Sequence, residues 1–184
     1  VAPFRLGAMT AISQTDGTWL APQEIDAARQ RLPILYIDAV PVRLGELGEL
    51  EAVGLLLRVT GAGSMTRSLV SGRVLYHEQV RHALIRHIEK DLGPLALPRI
   101  PASPQPFTIA EYFPTPGVSA FYDPRQHAVS LAYIVPVEGD CAPAQDALEV
   151  KWYPPQEAAS ARLQAELGGG QGVLLRQALA HLGF

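Results

Sequence analysis

The sequence predicts an α/β domain in which a mixed β-sheet is packed between helices, an α/β/α sandwich. Three observations carry this expectation. Runs rich in β-branched and aromatic residues, Ile34 to Leu44 and Leu50 to Thr60, precede a helical apolar set at Val80, Leu84, Ile88 and Leu92. A further strand-like run, His127 to Val137, follows that helix. Helical patterns stand towards both ends, after Pro22 and from Val173 to Leu182, so strands before and after a central helix are flanked by helices.

Size and composition agree with one domain. A chain of 184 residues, 48% hydrophobic and 18% charged, with a mean hydropathy of +0.10, is long enough to bury a sizeable core. The net charge of -3 and pI near 5.9 argue against a nucleic-acid binder, which would carry a basic patch or stripe. The longest apolar runs, such as Ala128 to Val137, have strand length, whereas a membrane-spanning helix needs roughly 20 apolar residues. Cys141 is the sole cysteine, which excludes an intrachain disulfide, and Val1 to Met9 has no apolar core of signal-peptide length. A cytoplasmic location is the expectation.

Residues 1–18 are small and polar without a period and read as an N-terminal arm; the domain is expected over 19–184. Pro22 suits a first helical turn, with Glu24 and Asp26 near the positive end of the helix dipole, and Pro33 ends that helix. Strands follow over Ile34 to Leu44, where Pro41 needs a bulge or an edge, and over Leu50 to Thr60. Met65 to Tyr76 reads as one strand running into a loop, so three strands precede the central helix. The prolines at 94, 98, 101, 104 and 106 predict an extended surface connection. Phe107 to Phe113, His127 to Val137 and Leu148 to Tyr153 read as strands. Pro154 to Glu157 opens a small helix, and Gly168 to Gly172 breaks the chain before the last one.

The stretch Gly72 to Pro94, GRVLYHEQVRHALIRHIEKDLGP, organises the rest. Its spacing of Gly72, Glu78, Arg86, Ile88 and Gly93 resembles the signature of the Nudix hydrolases. The whole chain also looks like an actinobacterial branch of Nudix-like proteins with stretches close to LPILYIDAVPVR, LVSGRVLY, HAVSLAYIVPV and GGQGVLLRQAL. This resemblance implies a fold of the same α/β/α type. It also implies an ancestral activity in which helix glutamates gather Mg2+ or Mn2+ and the anhydride of a nucleoside-diphosphate derivative is cut. His87, Lys90 and Asp91 stand where that pattern has three glutamates. Leu75 and His77 stand where active members commonly show Glu and Gly.

Magnesium needs several hard oxygen ligands on one face. On a helix, positions 87 and 91 lie roughly 40° apart and position 90 about 60° from 87, so the three share a surface, whereas Glu89 points away. One carboxylate remains there and a cation has been added, so the metal site reads as degraded. If the protein cleaves, Glu78 and Asp91 are the candidate metal-linked acids, with Arg86 orienting the loop and His87 as ligand or base. Glu78 and Arg86 serve equally as an ordinary ion pair. His87 and Asp91, at i and i+4, have the spacing for one transition metal, against a reading as a solvated helix face. Arg81, Arg86 and Lys90 suit a metal-free anion site, with Arg81 and Lys90 as candidate substrate contacts, against a solvated basic face.

Asp123, Arg125 and His127 are candidates for a pocket mouth, and Gly168 to Gly172 reads as a flexible turn. Two functions stay open: a Nudix-like hydrolase with a damaged metal site, and a non-catalytic module that binds a nucleotide or other phosphate-bearing molecule. A structural domain forming a homodimer through the arm and a sheet edge is the third reading.

Overall fold

The computed structural model describes residues 20–60, 62–143 and 147–184, and the expected N-terminal arm lies outside them. In chain order the elements are α1 (Pro22–Arg29), β1 (Ile34–Leu44), β2 (Leu50–Val59), β3 (Met65–Ser68), β4 (Val70–Arg73), α2 (Val80–Leu92), β5 (Thr108–Phe113), β6 (Phe121–Tyr122), β7 (Ala128–Pro136), β8 (Ala147–Tyr153), α3 (Pro155–Ala158), α4 (Ala161–Ala165) and α5 (Gln171–His181). The strands form one mixed sheet around β1, which pairs in parallel with β7 along one edge.

On its other edge β1 has two antiparallel partners in succession, β4 against Tyr36 to Ala39 and β2 against Val42 to Leu44. β2 likewise passes from β1 to β3, with β8 along its opposite edge. β1 and β2 therefore part beyond their connecting turn, and residues 65–73 fill the opening. The expected single strand breaks at Leu69, whose amide donates to Gln171 Oε1 at 2.9 Å. Four strands, not three, thus precede α2. Pro41 lies neither at an edge nor at a bulge. It stands in central β1 where the ladder passes from β4 to β2, a place that tolerates a residue with no N–H.

Both faces of the sheet are buried, which is why β1, β2 and β7 read as nearly continuous apolar runs. Ile37, Ala39 and Leu56 meet Leu84, Ile88 and Leu92 of α2 on one face. Val40, Val42, Val53 and Leu55 meet Leu174, Leu175 and Ala178 of α5 on the other. The alternation within β1, 37 and 39 against 40 and 42, is the pleat of a strand with a core on each side. Each fully buried Val, Leu or Ile among them contributes about 1.5–3 kcal/mol. The expected sandwich is the observed fold.

α1 starts as its sequence suggests, with the Ala21 amide donating to Glu24 Oε2 at 2.7 Å. The proline-rich connection is held more closely than expected. Arg99 N donates to Pro136 O at 2.8 Å and Gly139 N to Ala96 O at 2.9 Å, pairing part of it with the end of β7. Among the described residues no helix is long and apolar enough to cross a membrane.

Candidate functional site

The loop before α2 is built on Glu78. Its Oε1 accepts from Arg86 Nε and its Oε2 from Arg86 Nη2, both at 2.7 Å, while Oε2 also accepts from the Leu75 amide at 2.9 Å. Burial acts to raise the Glu78 pKa, but these bonds and the Arg86 charge hold it below the usual carboxylate value. Arg86 Nη2 also donates to the Arg73 carbonyl at 2.9 Å, tying β4 to α2. His77 stands at φ 61, so the loop keeps a left-handed turn where the family pattern has glycine.

The α2 face carrying His87 and Asp91 is not solvated: His87 is 6% exposed and Asp91 0%. A signal for this was present in the sequence. Position 91 lies about 20° from Leu84 on a helical wheel, and position 87 about 20° from Val80, so both fall within the apolar stripe. His87 Nε2 donates to the Arg73 carbonyl at 3.0 Å, which leaves Nδ1 as a buried lone pair with no hydrogen-bond partner. Burial lowers the His87 pKa, and the charges of Arg86 and Lys90 lower it further, so the ring is neutral at physiological pH. Gly72 packs flat against this ring.

Asp91 faces two cations. Arg58 Nη2, from β2, lies 2.7 Å from its Oδ2, and Lys90 Nζ lies 3.9 Å from its Oδ1. Arg58 Nε also donates to Ser68 Oγ at 3.1 Å. Arg81 is elsewhere: its Nε donates to the Pro101 carbonyl at 3.1 Å, fastening the proline-rich connection. Of the three basic residues grouped from the sequence, Lys90 alone lines the cleft described next; Arg86 is engaged with Glu78.

That cleft opens where β1 and β2 part. Its first lobe, of about 680 Å³, is lined by Arg29, Arg58, Arg73, Lys90 and Arg125 together with the edges of Gly72 and His87, and among the described residues no carboxylate lines it. A second lobe of about 510 Å³ shares Arg58 and Arg125 with the first and adds Tyr112, Tyr122 and Asp123. Gly168 and Gly169, read from the sequence as a flexible turn, also line it. Asp123 grips Arg125 through two bonds of 2.9 Å, and these hold its carboxyl below the usual pKa although burial opposes them. A net charge of -3 thus conceals a first lobe lined by five cations, of which Arg29, Arg58 and Arg125 are paired with Asp26, Asp91 and Asp123, leaving Arg73 and Lys90 to add positive charge. Arg29, Arg58 and Arg73 went unnoticed in the sequence because they come from three separate elements and none stands at a signature position of the Gly72 to Gly93 spacing.

The family model described as "Domain of unknown function (DUF4916)" matches residues 15–184. The chain belongs to the DUF4916 family. A solved structure from Jonesia denitrificans, described as a possible asymmetric diadenosine tetraphosphate (Ap4A) hydrolase, is 68% identical. The match covers 83% of this chain and 96% of that one, with a TM-score of 0.81. The NUDIX domain of Shewanella oneidensis NrtR, complexed with ADP ribose, is 19% identical over 83% of this chain and 90% of its own, with a TM-score of 0.60. A MutT protein from Methanosarcina mazei is 14% identical over 82% and 96%, with a TM-score of 0.57. No curated protein matches significantly. This DUF4916 chain therefore has the Nudix fold that the spacing from Gly72 to Gly93 indicates.

Nudix hydrolases generally use divalent metals such as Mg2+, and the donors of this DUF4916 chain do not fit one. Among the described residues no group of three or more His, Cys, Asp or Glu side chains is placed to hold a metal ion. The acid on the inner face of α2, Asp91, already has a guanidinium 2.7 Å from one oxygen. Both oxygens of Glu78 are engaged by Arg86. The sequence-level assignment of His87 and Asp91 as metal ligands therefore lacks the further oxygen donors that Mg2+ or Mn2+ requires.

Asp38 was missed by sequence reasoning because it sits mid-strand in an apolar run. It is 1% exposed and accepts from Tyr112 Oη at 3.1 Å and from Gln171 Nε2 at 3.4 Å, behind the second lobe. Burial raises its pKa, and the hydroxyls of Ser130, Ser71 and Tyr112 and the Gln171 amide only partly offset this. Between the unfolded value of about 3.9 and the raised folded value, the folded state holds more protons than the unfolded state. Stability from this group is thus present at low pH and lost as pH rises through the folded pKa. The stability of Asp38→Asn relative to wild type should accordingly increase with pH from about pH 4 upwards, as read by urea unfolding at a series of pH values. A flat difference would contradict the account.

Proposed function

We propose that this protein binds a nucleotide carrying a diphosphate or longer phosphate chain, holding the phosphates with side-chain cations in the cleft beside α2. The observation that carries this reading is the first lobe itself, whose lining among the described residues has five cationic side chains and no carboxylate. Arginine forks and a lysine point charge match phosphate oxygens. The Nudix fold supports the same ligand class, since ADP ribose is bound by the Shewanella domain. Glu78 and Arg86 shape the loop in this reading, and Asp91 organises the cations.

A second reading, hydrolysis of a dinucleoside polyphosphate, is favoured by the description of the Jonesia relative. The two separate in one experiment. ADP ribose and diadenosine tetraphosphate are added to the protein, melting is followed by calorimetry, and products are resolved by chromatography with and without Mg2+. Binding without turnover is expected. Sustained release of nucleotide products at stoichiometric excess would replace the first reading with the second.

A further inference from the structure

Resting on the reading that the cleft takes a phosphate-bearing nucleotide, we propose that Arg58 and Lys90 together replace the divalent cation, so that a pyrophosphate linkage is held without metal. Arg58 is placed as a fixed charge. Ser68 Oγ accepts from its Nε, and the buried Asp91 carboxylate holds its Nη2 at 2.7 Å as an ion pair, so the head is anchored at two points. A guanidinium has five N–H donors, so others remain for a ligand. The Arg58 side chain is 21% exposed and lines both lobes of the cleft.

Lys90 stands at the other oxygen of the same carboxylate. Two cations against one buried acid leave one positive charge in excess at this point of the cleft. Asp91 then acts on phosphate through its neighbours, as a positioning residue: it holds Arg58 and Lys90 rather than a metal. The arrangement is set before any ligand arrives, which lowers the ordering cost of binding. It also gives a role to the lysine that stands at position 90, where the Nudix signature that Gly72 to Gly93 resembles has a glutamate. In a metal site that exchange removes a ligand and adds repulsion, whereas in a cation clamp it supplies the second contact.

The test is calorimetric titration of ADP ribose into the full chain in EDTA and in Mg2+, for the wild type, Lys90→Gln and Lys90→Glu, with melting temperatures recorded for each. The expected result is binding in EDTA that Mg2+ does not strengthen. Lys90→Gln should weaken it roughly tenfold, as loss of a charge-assisted contact implies, and Lys90→Glu more. Arg58→Lys, which keeps the charge but loses the fork, should also weaken it. Binding that requires Mg2+ and survives Lys90→Glu would overturn the metal-free clamp while leaving the nucleotide reading intact. Absence of binding by folded wild-type protein to ADP ribose and to diadenosine tetraphosphate, in either buffer, would overturn both.

Discussion

Arg58→Met is expected to destabilise the domain by about 3–5 kcal/mol, the cost of stranding a buried charge by removing its partner. Asp91 is fully buried, and without Arg58 its nearest cation is Lys90 at 3.9 Å. The reverse change should be milder. Asp91→Asn leaves Arg58 charged, but that side chain is 21% exposed and can turn towards water in the cleft. Replacing both residues, Arg58→Met with Asp91→Leu, removes the stranded charge and should recover part of the loss, giving a favourable coupling in a double-mutant cycle. Urea unfolding of the three variants measures the order. A larger loss in Asp91→Asn than in Arg58→Met would contradict the placement of the charge.

Gly72→Ala should cost about 3 kcal/mol, at the upper end of overpacking penalties. A Cβ at position 72 would lie 1.8 Å from Cε1 and 2.2 Å from Nε2 of His87. The ring has little room to retreat, being buried and bonded to the Arg73 carbonyl on the adjoining residue. The penalty is one of space, because the Gly72 backbone does not occupy the left-handed region. Introducing the same change into His87→Ala should therefore cost much less. Equal losses in the two backgrounds, measured by thermal unfolding, would refute the contact.

Much of the fold was legible in the sequence because its determinants are local. β1, β2, β7 and β8 announce themselves as β-branched and aromatic runs, and α2 by the spacing of Val80, Leu84, Ile88 and Leu92. The division of 65–73 into two strands was not legible, since it depends on the Leu69 amide meeting Gln171, about a hundred residues away. β6 is two residues long and exists only beside β5. The site divides along the same line. Gly72, Glu78 and Arg86 lie within one short motif whose spacing is visible. Arg29, Arg58 and Arg125 reach the cleft from α1, β2 and the loop before β7, and only the folded sheet brings them together. Asp91 shows an intermediate case: its place on the apolar stripe was readable, but the arginine that neutralises it was not.

The central claim, that side-chain cations in this cleft hold the phosphates, is tested most directly by a crystal structure of the protein with ADP ribose grown without divalent metal. The account predicts phosphate oxygens within hydrogen-bond reach of Arg58 and Lys90, with the Arg58 to Asp91 pair intact. Phosphates bound away from both residues would contradict it. So would a structure grown with Mg2+ in which His87 and Asp91 ligate the ion and Arg58 has swung aside.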